Sequence, residues 1–201
     1  MGDDNEKVYD GTALTCDGSL ATLMPTGSTI KYGTTNGSYT LTSAPKITNV
    51  ADSKTIYYQV TNANYNTKTG SFECTVTPAD MDVEATADSK TYNGSALTCD
   101  GNLSGVPSGS TINYGTSSSS YNLNSAPTIT NVADTKTIYY KVTNPNYNAA
   151  TGSFTCTINR ATITTPPADN TKTYDGKYCF TYAIRLISLQ NHLRKPCKKR
   201  I

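Results

Sequence analysis

The stretch SAPKITNVADSKTIYYQVTNANYNTKTGSFECTVT, residues 43–77, returns as SAPTITNVADTKTIYYKVTNPNYNAATGSFTCTIN, residues 125–159. The second stretch starts 82 residues after the first, and the two are identical at 26 of 35 aligned positions. Self-similarity at such a period indicates a unit that folds as a module and has been duplicated. Two equal copies also argue against a single catalytic site, so the repeat bears on function as well as on fold.

The repeat continues upstream, because VYDGTALTCDG, residues 8–18, matches TYNGSALTCDG, residues 91–101. A third copy begins with ATIT in the place of ADMD, continues to KTYDG, and then loses all similarity after Gly176. The predicted units are repeat 1 at 1–78, which lacks most of its first strand, repeat 2 at 79–160, the start of a truncated repeat 3 at 161–176, and an aberrant basic tail at 177–201.

Apolar residues alternate with polar ones in both copies, most clearly in TIYYKVT at 137–143. Alternation of this kind predicts half-buried strands, and neither copy shows a helical period. The strands predicted for repeat 2 are 79–85, 95–99, 110–114, 120–124, 127–131, 136–143 and 152–159. About seven short strands separated by turn signals indicate an all-β fold of tandem immunoglobulin-like β-sandwich modules.

The charge is divided unequally along the chain. Residues 1–176 hold all 15 acidic side chains and 10 of the 17 basic ones, whereas residues 177–201 hold seven basic residues and no acid. An acidic body repels nucleic acid and anionic lipid, so we expect neither as a partner of the modules. No apolar stretch is long enough to cross a membrane as a helix, and we expect no membrane insertion.

Catalytic chemistry has little support in this sequence. The single histidine, His192, lies in the basic tail, so neither module has a histidine base. Phosphate-binding, dinucleotide-binding and HExxH motifs are absent from the sequence. We therefore predict that the chain is not an enzyme and carries no cofactor, metal or catalytic residue.

Four sequence features carry a resemblance to a known family: the YDG or YNG opening, the SAPxITNVAD run, the tyrosine-rich strand and the NYNxxTGSF segment. Together they resemble the tandem bacterial immunoglobulin-like repeats of the MBG or YDG type, over about residues 8–176. The resemblance implies a large secreted or cell-surface bacterial protein, adhesin-like in character. It implies an extracellular location and a structural role for the repeats.

Each copy has one pair of cysteines in matching positions, Cys16 and Cys74 in repeat 1 and Cys99 and Cys156 in repeat 2. The alternation of their strands turns all four side chains inward. In a secreted chain this predicts one disulfide per module, Cys16–Cys74 and Cys99–Cys156. Paired but reduced core thiols are the alternative, while metal ligation lacks CxxC spacing and histidine partners.

Six tyrosines of repeat 1 have a counterpart in repeat 2. Most are expected in the core or at the sandwich edge, with their hydroxyls bonded. Tyr57 and Tyr139 face outward and are the candidates for a binding surface.

Acidic residues cluster where the two repeats meet, at Asp80, Asp82, Glu84 and Asp88. A calcium site needs such oxygens, but no Asx-rich loop accompanies them, so we interpret them as solvated charges. Lys54 and Lys136 occupy equivalent places and raise the lesser alternative of an isopeptide bond.

The sequence therefore predicts a stalk that spaces or presents a binding domain elsewhere in the parent protein. The alternative is a module that binds a glycan or a host surface protein through exposed tyrosines and the variable loops. Expected partners are neighbouring repeats of the parent chain, with the fragment itself a monomer.

Overall fold

The computed structural model describes residues 2–164, which form two β-rich modules within one compact unit that ends at Ala161. Each module has its own hydrophobic core. The strands of module 1 are β1 Asn5–Val8, β2 Leu14–Thr15, β3 Thr29–Gly33, β4 Lys46–Ile47, β5 Lys54–Asn62 and β6 Tyr65–Thr77. Those of module 2 are β7 Asp88–Thr91, β8 Leu97–Thr98, β9 Thr111–Gly115, β10 Thr128–Ile129, β11 Lys136–Asn144 and β12 Tyr147–Asn159.

The two modules share one topology. A four-stranded sheet has the order β1-β6-β5-β3 in module 1 and β7-β12-β11-β9 in module 2. A two-stranded sheet, β2-β4 or β8-β10, accompanies it. Strand β1 runs parallel to its neighbour β6, and β7 runs parallel to its neighbour β12. The other pairs in these sheets are antiparallel. The predicted all-β fold of tandem immunoglobulin-like β-sandwich modules is confirmed.

The alternation in TIYYKVT is reproduced along β11. Ile138, Tyr140 and Val142 are buried in the core, while Tyr139 and Lys141 on the opposite face are only half-buried. Successive strand residues point to opposite faces, so one side of this segment supplies the core and the other the surface. The Tyr140 ring packs beside that of Phe154, with 6.5 Å between ring centroids.

The prediction of a strand at 79–85 is wrong, because this segment does not form the continuous hydrogen bonds of a sheet. The segment alternates half-buried and exposed as predicted, but it forms only isolated bridges, Ala79 to Tyr147 and Glu84 to Ser104. The strand that joins the larger sheet is β7, parallel to β12. Its sequence, DSKT, has no apolar alternation to reveal it.

The strand predicted at 120–124 is also absent, and only isolated bridges, Ser117 to Ser120 and Tyr114 to Leu123, fix this stretch. The serine-rich loop bonds locally, for example through the Tyr121 hydroxyl, which donates to the Ser118 carbonyl at 2.9 Å. Of the predicted third repeat, only residues 161–164 fall within the described part, and all four are exposed. The rest of that repeat and the basic tail at 177–201 lie outside the described residues.

Glycine is required at one matching position of each core. Gly18 and Gly101 have φ of +58° and +70°, and a Cβ at either would lie 2.6 Å from the ring of Phe72 or Phe154. Both the backbone angle and the close approach of the ring exclude a side chain there.

Candidate functional site at the module junction

The connection between the modules is a single residue. Strand β6 ends at Thr77, and the N–H of Ala79 already donates to the Asn146 carbonyl of module 2 at 3.1 Å. The Ala79 carbonyl in turn accepts from the N–H of Asn148 at 2.8 Å. Only Pro78 lies between, and its ring fixes φ near −65°. The chain therefore passes from one module to the next with little backbone freedom.

Side chains from both modules meet beside this connection. The Asn146 side chain accepts from the N–H of Val50 at 3.0 Å and donates to Oδ1 of Asn49 at 3.0 Å. The rings of Tyr9 and Tyr147 form an edge-to-face pair, with 5.3 Å between centroids and 74° between planes. Such pairs contribute about 0.5–1.5 kcal/mol beyond their area. The junction thus combines the hydrogen bonds of the Asn146 side chain to module 1 with the aromatic contact between Tyr9 and Tyr147.

The half of the junction in module 1 is a turn organised by Asp52. Its carboxylate accepts from the Asn49 N–H at 2.9 Å and from the Asn49 side-chain amide at 3.1 Å. The hydrogen bonds from the Asn49 and Thr48 backbone hold the pKa of Asp52 below its usual value. The same turn occurs in module 2, where Asp134 accepts from the Asn131 N–H at 2.8 Å.

The half in module 2 is the hairpin between β11 and β12. The Asn144 side chain accepts from the N–H of Asn146 at 3.0 Å and so fixes the turn that carries Asn146 and Tyr147. Module 1 repeats this hairpin, since the Asn62 side chain accepts from the N–H of Asn64 at 3.0 Å. Each module therefore has both halves of the junction, at opposite ends.

The structure places the candidate cysteines as two intramodule disulfides. Cys16 and Cys74 have S–S and Cα–Cα distances of 2.01 and 5.6 Å, and Cys99 and Cys156 have 2.03 and 5.7 Å. All four are fully buried. Because Cys74 lies on β6 and Cys16 directly follows β2, the bond ties the two sheets of the module together.

The candidate surface tyrosines lie away from the junction. Tyr57 and Tyr139 are half-buried on the outer face of the larger sheets. Tyr57 is opposite Ser71 on one side and Gly33 on the other, beside the variable loop TTNGS that follows Gly33. The structure therefore brings each of these tyrosines close to a loop that differs between the repeats, at the same place in both modules.

The acidic residues near the junction do not converge. Asp80, Asp82 and Glu84 are exposed, and the Asp80 carboxylate accepts from the Asn148 side chain at 2.7 Å. The interpretation of Asp88 as a solvated charge is wrong, because this residue is only 7% exposed and its carboxylate accepts from the Gly101 N–H at 2.8 Å. Among residues 2–164, no three acidic, histidine or cysteine side chains are placed to hold a metal ion.

The two lysines considered for an isopeptide bond, Lys54 and Lys136, have exposed side chains at the starts of β5 and β11. Their position gives the isopeptide alternative no support.

A groove of about 240 Å³ opens on module 1, lined by Leu20, Leu23, Tyr58, Val60, Tyr65 and Lys68 among others. At the matching place in module 2 lies the segment 79–83, which we call the filling segment. There the Tyr140 hydroxyl donates to the Val83 carbonyl at 3.2 Å, and Val142 is fully buried, whereas its counterpart Val60 is half-buried. The groove of module 1 thus lies at the place that the filling segment takes in module 2.

Sequence reasoning missed the junction residues, although Tyr9, Asn49, Asn146 and Tyr147 all recur between the repeats. Recurrence alone does not separate them from core positions.

Within residues 2–164, no helix has the length and apolar character needed to cross a membrane.

No protein-family model matches the chain, and no curated protein matches it. Solved structures similar to it include the insect immune protein hemolin, at 16% identity and a TM-score of 0.36, covering 79% of this chain and 45% of that one. Immunoglobulin domains 1–4 of Sidekick-1 give 18% identity and a TM-score of 0.29, with coverage of 80% and 50%. Murine CEACAM1b gives 14% and 0.30, with coverage of 78% and 96%. The chain thus spans about half the length of the first two.

Proposed function

We propose that the chain is a non-catalytic spacer from a secreted or cell-surface bacterial protein of adhesin-like character, built of repeats of the MBG or YDG type. Its task is to hold a binding domain of the parent protein at a distance. Support for the bacterial assignment comes from the sequence motifs. The extracellular location is supported by one buried disulfide per module, since disulfides persist in oxidising compartments.

The observation that carries the spacer role is the junction. A one-residue connection, backbone bonds on both sides of it and the Tyr9–Tyr147 contact fix module 2 against module 1. Modules joined by a flexible linker reorient freely, whereas a spacer has to transmit position from one module to the next. Because every module carries both halves of the junction, the same arrangement extends along an array.

The distance between spin labels on the outer faces of the two modules tests this role. The native chain should give one narrow distance distribution. Replacing Asn146 and Tyr147 by alanine removes the side-chain contacts of the junction and should broaden that distribution. Replacing Asn64 and Tyr65 by alanine is the matched control, because these residues lie in the same hairpin of module 1 and should leave it narrow. A broad distribution in the native chain would end the spacer proposal.

A second candidate function is binding of a glycan or host protein by Tyr57 and Tyr139. It is favoured by their partial exposure beside the variable loops in both modules. A glycan array separates the candidates. If the chain is a binding module, it should bind a glycan on the array and lose that binding when both tyrosines are replaced by alanine. A spacer should bind none of the glycans.

A further inference from the structure

Within residues 2–164, each end of the two-module unit presents a half of the junction that meets no matching half. Tyr92 takes the place of Tyr9 and is 44% exposed, and Asn131 and Val132 lie beyond it in the turn held by Asp134. At the other end Tyr65, the counterpart of Tyr147, is 62% exposed and follows Asn64 in the hairpin. The two halves that meet between the modules are therefore also displayed outward, with the same internal hydrogen bonds.

The groove of module 1 and the segment after module 2 are a second complementary pair. Residues 161–164, ATIT, align with 79–82, ADMD, the greater part of the filling segment of module 2. Ile163 stands in the place of Met81, which packs against the core of module 2. Ile163 is 84% exposed, and Leu23 in the groove of module 1 is 58% exposed. One chain thus presents both an apolar segment, residues 161–164, which we call the donor, and an apolar groove that can receive it, which we call the acceptor.

We propose that the chain self-associates head to tail, with module 1 of a second copy docking after module 2 of the first as the next module of the array. Residues 161–164 of the first copy enter the groove of the second. Tyr92 meets Tyr65, and the turn at Asn131 and Val132 receives Asn64. This departs from the monomer expected from the sequence, and it goes beyond the spacer role, which concerns one chain alone.

The backbone pairing follows from the junction within the chain. Ala79 donates to the Asn146 carbonyl and accepts from the Asn148 N–H. Ala161 would bond in the same way to Asn64 and Asn66 of the second copy. As at Ala79, this is a single backbone bridge, so the side-chain contacts of the segment in the groove supply the rest of the affinity.

Room for the incoming segment exists in the acceptor. Gly2 stands at the position of Ala85 and already lies against the core, with its N–H donating to the Tyr58 hydroxyl at 3.3 Å. In the part of module 1 that the structure describes, no residue lies at the place of positions 79–82 of module 2. A donor that ends its contacts at Thr164 therefore does not overlap the described residues of the acceptor.

The contact is heterologous, because the donor and acceptor surfaces differ. Such contacts generate open chains of copies unless the rotation happens to close a ring. This property distinguishes the proposed contact from a symmetric dimer, in which the same patch would meet itself.

The test is sedimentation equilibrium of the full 201-residue chain at concentrations up to about 1 mM, the range of a weak complex. The average mass of the native chain should rise with concentration. Ile163→Asp removes the donor and Leu23→Asp the acceptor, and each variant alone should stay monomeric. Leu41→Asp is the matched control, because Leu41 is an exposed apolar residue outside the groove, and it should associate like the native chain.

Mixing the two deficient variants gives the decisive result. The Ile163→Asp chain keeps its groove and the Leu23→Asp chain keeps its donor, so an equimolar mixture should form 1:1 dimers and nothing longer. Only folded variants can complement each other, so misfolding cannot imitate this result. The peptide of residues 78–83, PADMDV, contains the filling segment and stops before the positions that Gly2 and Asp3 occupy, so it should bind in the groove and block association of the native chain.

Three outcomes overturn the proposal: a native chain that is monomeric at every concentration, association that survives Ile163→Asp, and a mixture that remains monomeric while the native chain associates. None of these outcomes bears on the spacer role, which depends on the junction within one chain.

Discussion

Module 1 and module 2 have the same six strands, the same sheet order and the same buried disulfide, but they differ in what covers the core beside β5 and its counterpart β11. Module 2 has the filling segment lying across β11 and β12, and module 1 has an open groove there. Met81, Val83 and Ala85 pack against the core of module 2 only. The two sheets and their disulfide have the same arrangement in both modules, with the filling segment in module 2 and an open groove in module 1.

The same difference predicts unequal stability. Module 2 gains the burial of Val142 and the backbone bonds of Ala79 and Glu84. Among residues 2–164, the bond of this series that module 1 shares is the one from the Asp3 N–H to the Gly18 carbonyl at 2.9 Å, which matches Thr86 and Gly101. The predictions that follow use one module as the control for the other.

The largest effect is expected from the disulfides. Each closes a loop of similar size, with sequence separations of 58 and 57. Replacing both cysteines of one module by alanine should cost that module about 4 kcal/mol in the chain-entropy model. Chemical denaturation followed by module-specific NMR signals measures the loss. Module 1 should unfold in native buffer when its pair is removed, whereas module 2 should stay folded, and the reverse order would contradict the comparison.

A smaller effect is expected from the filling segment. Met81→Asp places a charge against the core of module 2 and should lower its free energy of unfolding by about 2 kcal/mol. Its neighbour Asp82 is exposed, so Asp82→Ala should change it by less than about 0.5 kcal/mol. Urea denaturation measures both. If Met81→Asp left module 2 unchanged, the filling segment would not contribute to its core.

Next comes the buried carboxylate of module 2. Asp88→Ala leaves the Gly101 N–H without its acceptor and should cost about 1.5 kcal/mol. Module 1 has Asn5 in this place, where the amide oxygen accepts from Gly18 at 2.8 Å. The double change Asp88→Asn with Asn102→Ser copies the module 1 arrangement and should retain most of the stability. A loss as large as that of Asp88→Ala would show that the charge itself is needed.

The smallest effect concerns pH. Hydrogen bonding to Lys7 and to Thr12 lowers the pKa of Asp10 from 3.8 to about 2. A carboxyl whose pKa falls on folding contributes stability above pH 3.8 and loses it as pH drops through 2. Module 2 has Asn93 there, while Asp52 and Asp134 shift alike in both modules. Module 1 should therefore lose slightly more stability than module 2 between about pH 4 and pH 2, the range between the unfolded and folded pKa values of Asp10.

Replacing Asp10 by asparagine gives the control for this pH dependence. Module-resolved acid titrations of the native and Asp10→Asn chains should differ in module 1 alone. Identical titrations would show that Asp10 does not cause the difference in pH dependence between the two modules.

The sequence was sufficient where burial follows a simple period. TIYYKVT predicted both the strand and its inward face, because Ile138, Tyr140 and Val142 are all apolar and spaced by two. The strand β7 was missed because only Asp88 of its four residues is buried and no apolar side chain marks it. The false strand at 120–124 arose from alternation in a loop whose polar residues bond to one another.

The junction and the groove were beyond such reasoning for a different reason. Asn49 and Asn146 are 97 residues apart, and their contact leaves no periodic trace in the sequence. The sequence did not predict a groove on module 1. The structure shows one there, since Tyr58 and Val60 keep the positions that Tyr140 and Val142 have under the filling segment.

Native-state hydrogen exchange tests most directly the claim that module 2 is module 1 with its groove filled. The amides of Ile56 and Val60 on β5 are compared with those of Ile138 and Val142 on β11, which pair with equivalent positions of the neighbouring strands. Exchange should be slower in module 2, and it should slow in module 1 when the peptide of residues 78–83 is added. Equal exchange in the two modules, unchanged by the peptide, would contradict it.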